Sequence, residues 1–210
     1  MVDRLNKGVP HELVRKAQEL KSKGLSNYEI ADDLKVQPDT VVWLLLKGKE
    51  RASMHPPHDV FVDWSSLASH TKRLTAVAEA LADLARESVR AAEFDEPDAV
   101  VAIEGSGMVL GAAIAKELDK SFAAVRPQRP GQKKGSGLVN PSFHSVSGKR
   151  VLIADAVLRA GISHTAAIQT LKKAKAKPVG VIVLVNKSGK TKLDGVPLKS
   201  LFQILPVTSE

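Results

Sequence analysis

Three short segments that are apolar at nearly every position limit most strongly what this chain can fold into. They read DAVVAIEG (98–105), RVLIAD (150–155) and PVGVIVLVN (178–186), and helical patterns lie between them. Strands with one face in water alternate apolar and polar residues, whereas strands buried on both faces read as continuous apolar runs. The pattern therefore predicts an α/β domain in which helices cover both faces of a parallel sheet.

The segments around these strands complete the same pattern. Two further strands are predicted at SFAAVRP (121–127) and KSLFQILPV (199–207). Helices are predicted at 67–92, 108–119 and 163–176, each with apolar residues at helical spacing. A stretch of about twenty residues from Gln128 to Gly148 is rich in glycine and lysine, and loops of this length are usually functional.

Composition excludes several kinds of chemistry. The chain has no cysteine, so disulfides, cysteine-ligated zinc and thiol catalysis are excluded. The first residues, MVDRLNKGVPHELV, contain no apolar leader, and no run approaches the ~18 apolar residues of a membrane span. We expect a cytoplasmic protein that does not associate with membranes.

Positive charge is concentrated in one part of the chain. The formal net charge is +8, but residues 1–56 carry 10 basic and 8 acidic residues. Residues 120–192 carry 15 basic residues and a single acid, Asp155. Such a block predicts an anionic partner, either a phosphorylated small molecule or nucleic acid. For the lysines of LKKAKAKP (171–178), a solvated helix end is the preferred explanation.

Residues 1–54 are predicted to form a helical domain in front of a second domain at 55–210. Three helical patterns are present: PHELVRKAQELKSKG (10–24), LSNYEIADDLKV (25–36) and QPDTVVWLLLKG (37–48). Ser26 and Glu29 have the spacing of a capping box, and the short turn before Pro38 is typical of a helix-turn-helix. The stretch RASMHPPHDVFVDWSS (51–66) is interpreted as the linker and the lead-in to the second domain, and no metal site is expected in it.

In a helix-turn-helix the last of these helices enters the major groove with its N-terminal residues at the base edges. The candidates for DNA contact are Ser26, Asn27, Gln37, Asp39, Thr40, Trp43 and Lys47. Arg51 is a further candidate for a phosphate contact. A three-helix module that oligomerises or binds protein would keep the same core, so that alternative stays open.

Two glycine-containing turns follow predicted strands at the edge where parallel sheets bind ligands. EGSGMVLG (104–111) has two glycines that leave backbone N–H groups available to an anion. DAVLRAGIS (155–163) combines Gly161 and Ser163 with the N-terminus of the following helix. Each turn alone fits ordinary tight-turn geometry equally well.

The strand and turn VLIADAVLRAGIS (151–163) resemble the phosphoribosyl pyrophosphate signature of the type I phosphoribosyltransferases. EGSGMVLGAAIAKELD (104–119) is similar to the pyrophosphate loop of that family, and VRPQRPGQKKGSG (125–137) occupies the place of its flexible basic loop. With the helical patterns in front, nearly the whole chain resembles the archaeal orotate phosphoribosyltransferase-like transcriptional regulators. The resemblance implies a type I phosphoribosyltransferase-like parallel sheet, an N-terminal all-α helix-turn-helix module and a homodimer.

The resemblance also implies which residues bind a phosphorylated ligand, either phosphoribosyl pyrophosphate or a nucleotide. They are Glu104, Gly105, Ser106, Gly107, Arg126, Asp155, Arg159, Ala160, Gly161, Ile162 and Ser163. The flexible loop would contribute Arg129, Lys133 and Lys134. A pyrophosphate ligand could bring Mg²⁺ with it.

One departure from the family bears directly on catalysis. The signature has two adjacent acids, but here Ala156 follows Asp155. Losing a carboxylate beside a sugar that develops positive charge removes electrostatic stabilisation, so we expect very low activity, with Asp155 the residual catalytic candidate. Arg159 in the turn would hold phosphate through its guanidinium. The alternative is that Arg159 pairs with Asp155 and closes an empty pocket.

These observations favour a DNA-binding transcription regulator whose degenerate phosphoribosyltransferase domain dimerises and senses a phosphorylated metabolite. A second hypothesis is an active phosphoribosyltransferase for orotate or a purine base, acting with Mg²⁺. A third, an RNA-binding protein, rests on charge alone.

Overall fold

The computed structural model describes residues 11–128 and 136–205. The chain divides into two compact units, one ending at Val62 and the other beginning at Asp63. The stretch 55–62, which the sequence analysis assigns to the second domain, is therefore grouped with the N-terminal helices.

Short helices around a small apolar core form the first unit. Within residues 11–62 they are α1 (His11–Ser22), α2 (Asn27–Leu34), α3 (Pro38–Leu45) and α4 (Gly48–Ser53). The core side chains below 5% exposure are Leu13, Ala17, Ile30, Ala31, Val36, Val41 and Leu44. The capping box is present: Ser26 Oγ accepts a hydrogen bond from the Glu29 N–H, and the Glu29 carboxylate accepts one from the Ser26 N–H at 2.9 Å.

The interpretation of residues 51–66 as a linker is wrong for Asp59 and Phe61, which contact the helical unit. Asp59 Oδ2 accepts hydrogen bonds from the backbone N–H of Gln37 at 2.7 Å and from Thr40 Oγ1 at 2.8 Å. Gln37 is the N-cap of α3 and its own side chain makes no capping bond. Phe61 packs against the helical core. Asp59 thus caps α3 from a distance of about twenty residues in sequence.

The second unit is an α/β domain. Its described strands are β1 (Ala99–Ile103), β2 (Ser121–Arg126), β3 (Leu138–Val139), β4 (Arg150–Leu158), β5 (Lys177–Asn186), β6 (Lys192–Leu193) and β7 (Val196–Gln203). Its described helices are α5 (Ser65–Ala68), α6 (Thr71–Arg90), α7 (Gly107–Leu118) and α8 (Ile162–Lys173). The strand order is β3-β2-β1-β4-β5-β7-β6. The central strands pair in parallel, while β3 and β6 pair antiparallel to β2 and β7.

Helices cover both faces of this sheet, as the apolar strands predict. On one face, alternate residues of β1 and β4 pack against Ala167, Ile168 and Leu171 of α8. On the other, α7 lies so close to β1 that a Cβ on Gly111 would come within 2.7 Å of Ala102 Cβ. The predicted parallel α/β architecture is confirmed.

Four predicted element bounds need correction. The strand expected at 199–207 is β7, which begins and ends earlier, at Val196–Gln203. The helix expected at 67–92 is two helices, α5 and α6, with Ser69 and His70 between them. The stretch 128–148 includes the short strand β3. Most important for the site, β4 continues past Asp155 to Leu158, so Asp155 belongs to the strand and the turn begins at Arg159.

Candidate functional site

Two loops at the carboxyl ends of neighbouring parallel strands make up the site. β1 pairs with β4, so the loop after Ile103 and the turn after Leu158 lie at the same edge of the sheet. Ligands in open α/β sheets bind at this edge. The two glycine-containing segments singled out in the sequence are therefore brought together.

Asp155 lies at the centre of this edge, but its side chain faces inward. The residue is 1% exposed. Its Oδ1 accepts hydrogen bonds from Ser106 Oγ at 3.3 Å and from the Ala156 N–H at 2.7 Å. Its Oδ2 lies 3.2 Å from His164 Nε2. The carboxylate thus joins the β1–α7 loop, β4 and α8.

His164 is a residue of the site that the sequence analysis misses. It lies in the first turn of α8 and is 3% exposed. Its Nε2 approaches the Asp155 carboxylate closely without the alignment of a directed hydrogen bond. A lone histidine in a helical pattern gives no signal for this contact, because its partner lies on a different element.

Position 107 needs glycine because the β1–α7 loop and β4 lie very close together. A Cβ at this position would lie 3.0 Å from Asp155 Oδ1 and 3.1 Å from the Ala154 carbonyl oxygen. Gly105 has a φ of +107°, a left-handed conformation that favours glycine, with open space around it. One glycine therefore allows close packing and the other allows the loop to turn.

The residues at the ends of β1 and β2 form a polar cluster. Arg126 Nε donates to Glu104 Oε2 at 2.7 Å, and Asn140 Nδ2 donates to Glu104 Oε1 at 3.0 Å. The Arg126 side chain is 62% exposed and that of Glu104 20%. Arg126, expected to bind phosphate, is thus held beside the site by an acid.

Hydrogen bonds from the loop after β5 hold the turn after β4 in place. Gly161 has a φ of +88° and is the N-cap of α8. The Lys187 N–H donates to the Leu158 carbonyl at 2.8 Å, and Lys190 Nζ donates to the Ala160 carbonyl at 3.0 Å. The buried side chain of Asn186 folds this second loop by donating to the Lys190 carbonyl at 2.8 Å. Lys190 therefore brings positive charge to the turn, which the sequence analysis misses.

The remaining predicted site residues surround the same turn. Arg159, Ala160 and Ser163 are half-buried, whereas Ile162 is 56% exposed. Ala156, which replaces the second acid of the signature, is fully buried. Pairing of Arg159 with Asp155 stays a prediction. Arg129, Lys133 and Lys134 lie outside the described residues.

The carboxylates of this edge do not suit a resident Mg²⁺ ion. Mg²⁺ takes oxygen ligands in near-octahedral geometry and usually keeps several waters. Asp155 is enclosed by protein, and Glu104 is already bonded to Arg126 and Asn140. In residues 11–128 and 136–205, no group of three acidic, histidine or cysteine side chains could hold a metal.

In the first unit, the structure separates the DNA-contact candidates into exposed and buried residues. Asp39 and Lys47 are exposed, Gln37 is half-buried, and Asn27 Oδ1 accepts a hydrogen bond from Lys21 Nζ at 3.1 Å. Ser26, also exposed, is occupied by its capping box.

Two of the candidates and Arg51 need correction. Thr40 and Trp43 are only 8% and 7% exposed, and Trp43 Nε1 donates to the Met54 carbonyl. The Arg51 guanidinium lies 5.6 Å from the centre of the Trp43 ring and donates to the Leu44 carbonyl. These side chains stabilise the helical core and the end of α3, so they are placed differently from the base and phosphate contacts expected of them.

None of the described helices is long and apolar enough to cross a membrane.

Comparison with known proteins gives consistent results for both units. Residues 63–209 match the phosphoribosyl transferase domain family. The transcriptional regulator GfcR of Methanosarcina mazei is 36% identical over 93% of this chain and 97% of its own length. The transcriptional regulator GfcR 2 of Methanosarcina acetivorans is 37% identical over the same shares. The crystal structure of adenine phosphoribosyltransferase from Thermoanaerobacter pseudethanolicus has a TM-score of 0.53 at 24% identity, covering 70% of this chain and 88% of its own.

Proposed function

Because the chain belongs to the GfcR family of transcriptional regulators and carries a phosphoribosyl transferase domain, we propose that it is a DNA-binding, ligand-sensing homodimer. The helical unit binds operator DNA. The α/β unit binds a phosphorylated metabolite at the edge formed by β1 and β4 and does not turn it over. Ligand binding changes the affinity for DNA, because the two sites are coupled through the dimer.

The burial of Asp155 carries the non-catalytic part of this proposal. Transfer of a ribosyl group develops positive charge on the sugar, and carboxylates that stabilise this charge must reach the ring. Asp155 is 1% exposed and is engaged by Ser106 and His164, while Ala156 supplies no carboxylate. The remaining acid of the signature therefore holds the site together.

The turn after β4 supports binding of an anionic group. The N-terminus of α8 provides backbone N–H donors, which favour phosphate. Arg159 lies in this turn and Lys190 is anchored to it. A guanidinium binds phosphate in a bidentate manner, and a nearby ammonium adds attraction.

The small charge of the helical unit is the reason for proposing a dimer. Residues 1–56 have a formal charge of only +2, so one helical unit offers few phosphate contacts. Two copies on half-sites one helical turn apart would bind with the combined affinity of both.

Calorimetry tests the ligand site. The protein is titrated with phosphoribosyl pyrophosphate and a panel of nucleotides, each with and without Mg²⁺. We expect saturable binding of at least one of these compounds, lost in Arg159→Ala and kept in the control Arg73→Ala, whose side chain is exposed on α6. Absence of binding at millimolar concentration would refute the sensor role.

An active phosphoribosyltransferase is the second candidate, favoured by the open left-handed turn at Gly105 after β1. Turnover is measured with orotate, adenine and other purine bases in the presence of Mg²⁺. We expect none. Product formation that Asp155→Asn abolishes would establish an enzyme instead.

A further inference from the structure

The surface of α3 that a ligand can reach is small, because half of its eight positions are buried. Thr40, Val41, Trp43 and Leu44 face the core of the helical unit, with exposures of 8% or less. The exposed positions are Asp39 and Val42, which is 43% exposed. They are three residues apart and therefore lie on the same face of the helix.

From this face we propose that Asp39 and Val42 read bases: Asp39 contacts a cytosine and Val42 contacts a thymine in an adjacent base pair. This inference rests on the proposed function, in which α3 enters the major groove of operator DNA.

The chemistry of the two side chains assigns the bases. An aspartate carboxylate only accepts hydrogen bonds, and the major-groove edge of cytosine offers its amino group as a donor. Adenine also offers an amino group, but the neighbouring N7 is an acceptor, so it would repel a carboxylate oxygen. Val42 presents methyl groups alone, and thymine is the base that carries a methyl group in the major groove.

The spacing fits neighbouring base pairs. Three residues along an α-helix advance by about 4.5 Å. Successive base pairs are about 3.4 Å apart. The N-terminal residues of a recognition helix lie nearest the base edges; Asp39 is the second residue of α3, and Val42 follows almost one turn later.

The charge of Asp39 also favours this assignment over a phosphate contact. A carboxylate next to the DNA backbone would be repelled, so its place on this face suits a donor on a base. Within the described residues Asp39 has no ion-pair partner. Lys47, exposed just beyond the end of α3, is placed to contact phosphate.

The experiment is selection of binding sites from random duplex DNA with the full-length protein. We expect the selected sites to contain a cytosine next to a thymine in each half-site. Asp39→Asn should shift the preference at the cytosine to adenine by about tenfold, since asparagine pairs with adenine. Val42→Gln should shift the thymine to adenine in the same way, and Asp83→Asn, an exposed acid on α6, should leave the selected sequence unchanged.

A second measurement uses the wild-type protein alone, so it does not depend on the variants folding. Replacing the contacted thymine with uracil removes only the methyl group, and we expect affinity to fall severalfold. Two results would overturn base reading by these residues and leave DNA binding intact. Both variants could select the same sequence as wild type, or no replacement of thymine by uracil could lower the affinity. No enriched sequence at all would instead refute the proposed function.

Discussion

Replacing Asp59 with alanine should destabilise the helical unit, because this one carboxylate holds the N-terminus of α3. It accepts two hydrogen bonds, from the Gln37 N–H at 2.7 Å and from Thr40 Oγ1 at 2.8 Å. Hydrogen bonds to a charged group contribute about 1.5–3 kcal/mol each, and loss of an N-cap costs about 1 kcal/mol. Since Asp59 is half-buried, we use the lower end of the range for each hydrogen bond. The free energy of unfolding should then fall by about 2–3 kcal/mol.

Tryptophan fluorescence can follow this unit within the intact chain. The chain has two tryptophans, so a Trp64→Phe background leaves Trp43, which is buried in the helical core, as the reporter. With an m-value of about 1 kcal/mol/M, the urea midpoint should fall by about 2–3 M. Asp59→Asn keeps one acceptor oxygen, so it should lose less stability than Asp59→Ala.

Asp83→Ala is the matched control, since it removes an exposed acid from α6 in the other unit. The urea midpoint of Asp83→Ala should equal that of the Trp64→Phe background protein. A shift below about 0.5 kcal/mol in Asp59→Ala would refute the capping role, because surface substitutions away from such features have effects of that size.

Three further predictions concern the α/β unit, each followed by urea unfolding of the full chain. Arg150 lowers the pKa of Asp98 to about 2, so the pair stabilises the fold above the ordinary pKa of 3.8 and loses this effect as pH falls toward 2. Asp98→Asn should therefore be less stable than wild type near neutral pH, and the difference should shrink below pH 3.8 and be lost as pH falls through 2. A difference independent of pH would contradict this. Gly107→Ala should cost about 1–3 kcal/mol through overpacking against Asp155, and an unchanged midpoint would show that the loop shifts freely. His164→Phe leaves one side of a buried carboxylate facing a ring without polar atoms, so we expect a loss of about 2 kcal/mol, whereas a stabilised variant would mean that the histidine is dispensable.

The sequence predicts those parts of the structure that depend on neighbours along the chain. The apolar run PVGVIVLVN becomes β5, and the spacing of Ser26 and Glu29 becomes a capping box. The recognised turns also lie at the predicted edge of the sheet, because connectivity alone places them there.

Contacts between distant segments could not be predicted in this way. VVWLLL (41–46) is apolar at every position, so periodicity does not show that Trp43 faces inward while Val42 faces outward. Asp59 reads as part of a linker until the fold brings it to α3. From the sequence, Asp155 is either a ligand-facing acid or a partner of Arg159, and neither reading indicates its contacts with His164 and Ser106.

The full burial of Ala156 decides whether the site could accommodate a second acid. An aspartate at this position would place a carboxylate where no solvent reaches, which is strongly unfavourable without new partners. Ala156→Asp is therefore expected to destabilise the unit. The packing around position 156 therefore stands against a second carboxylate, whatever ligand the site binds.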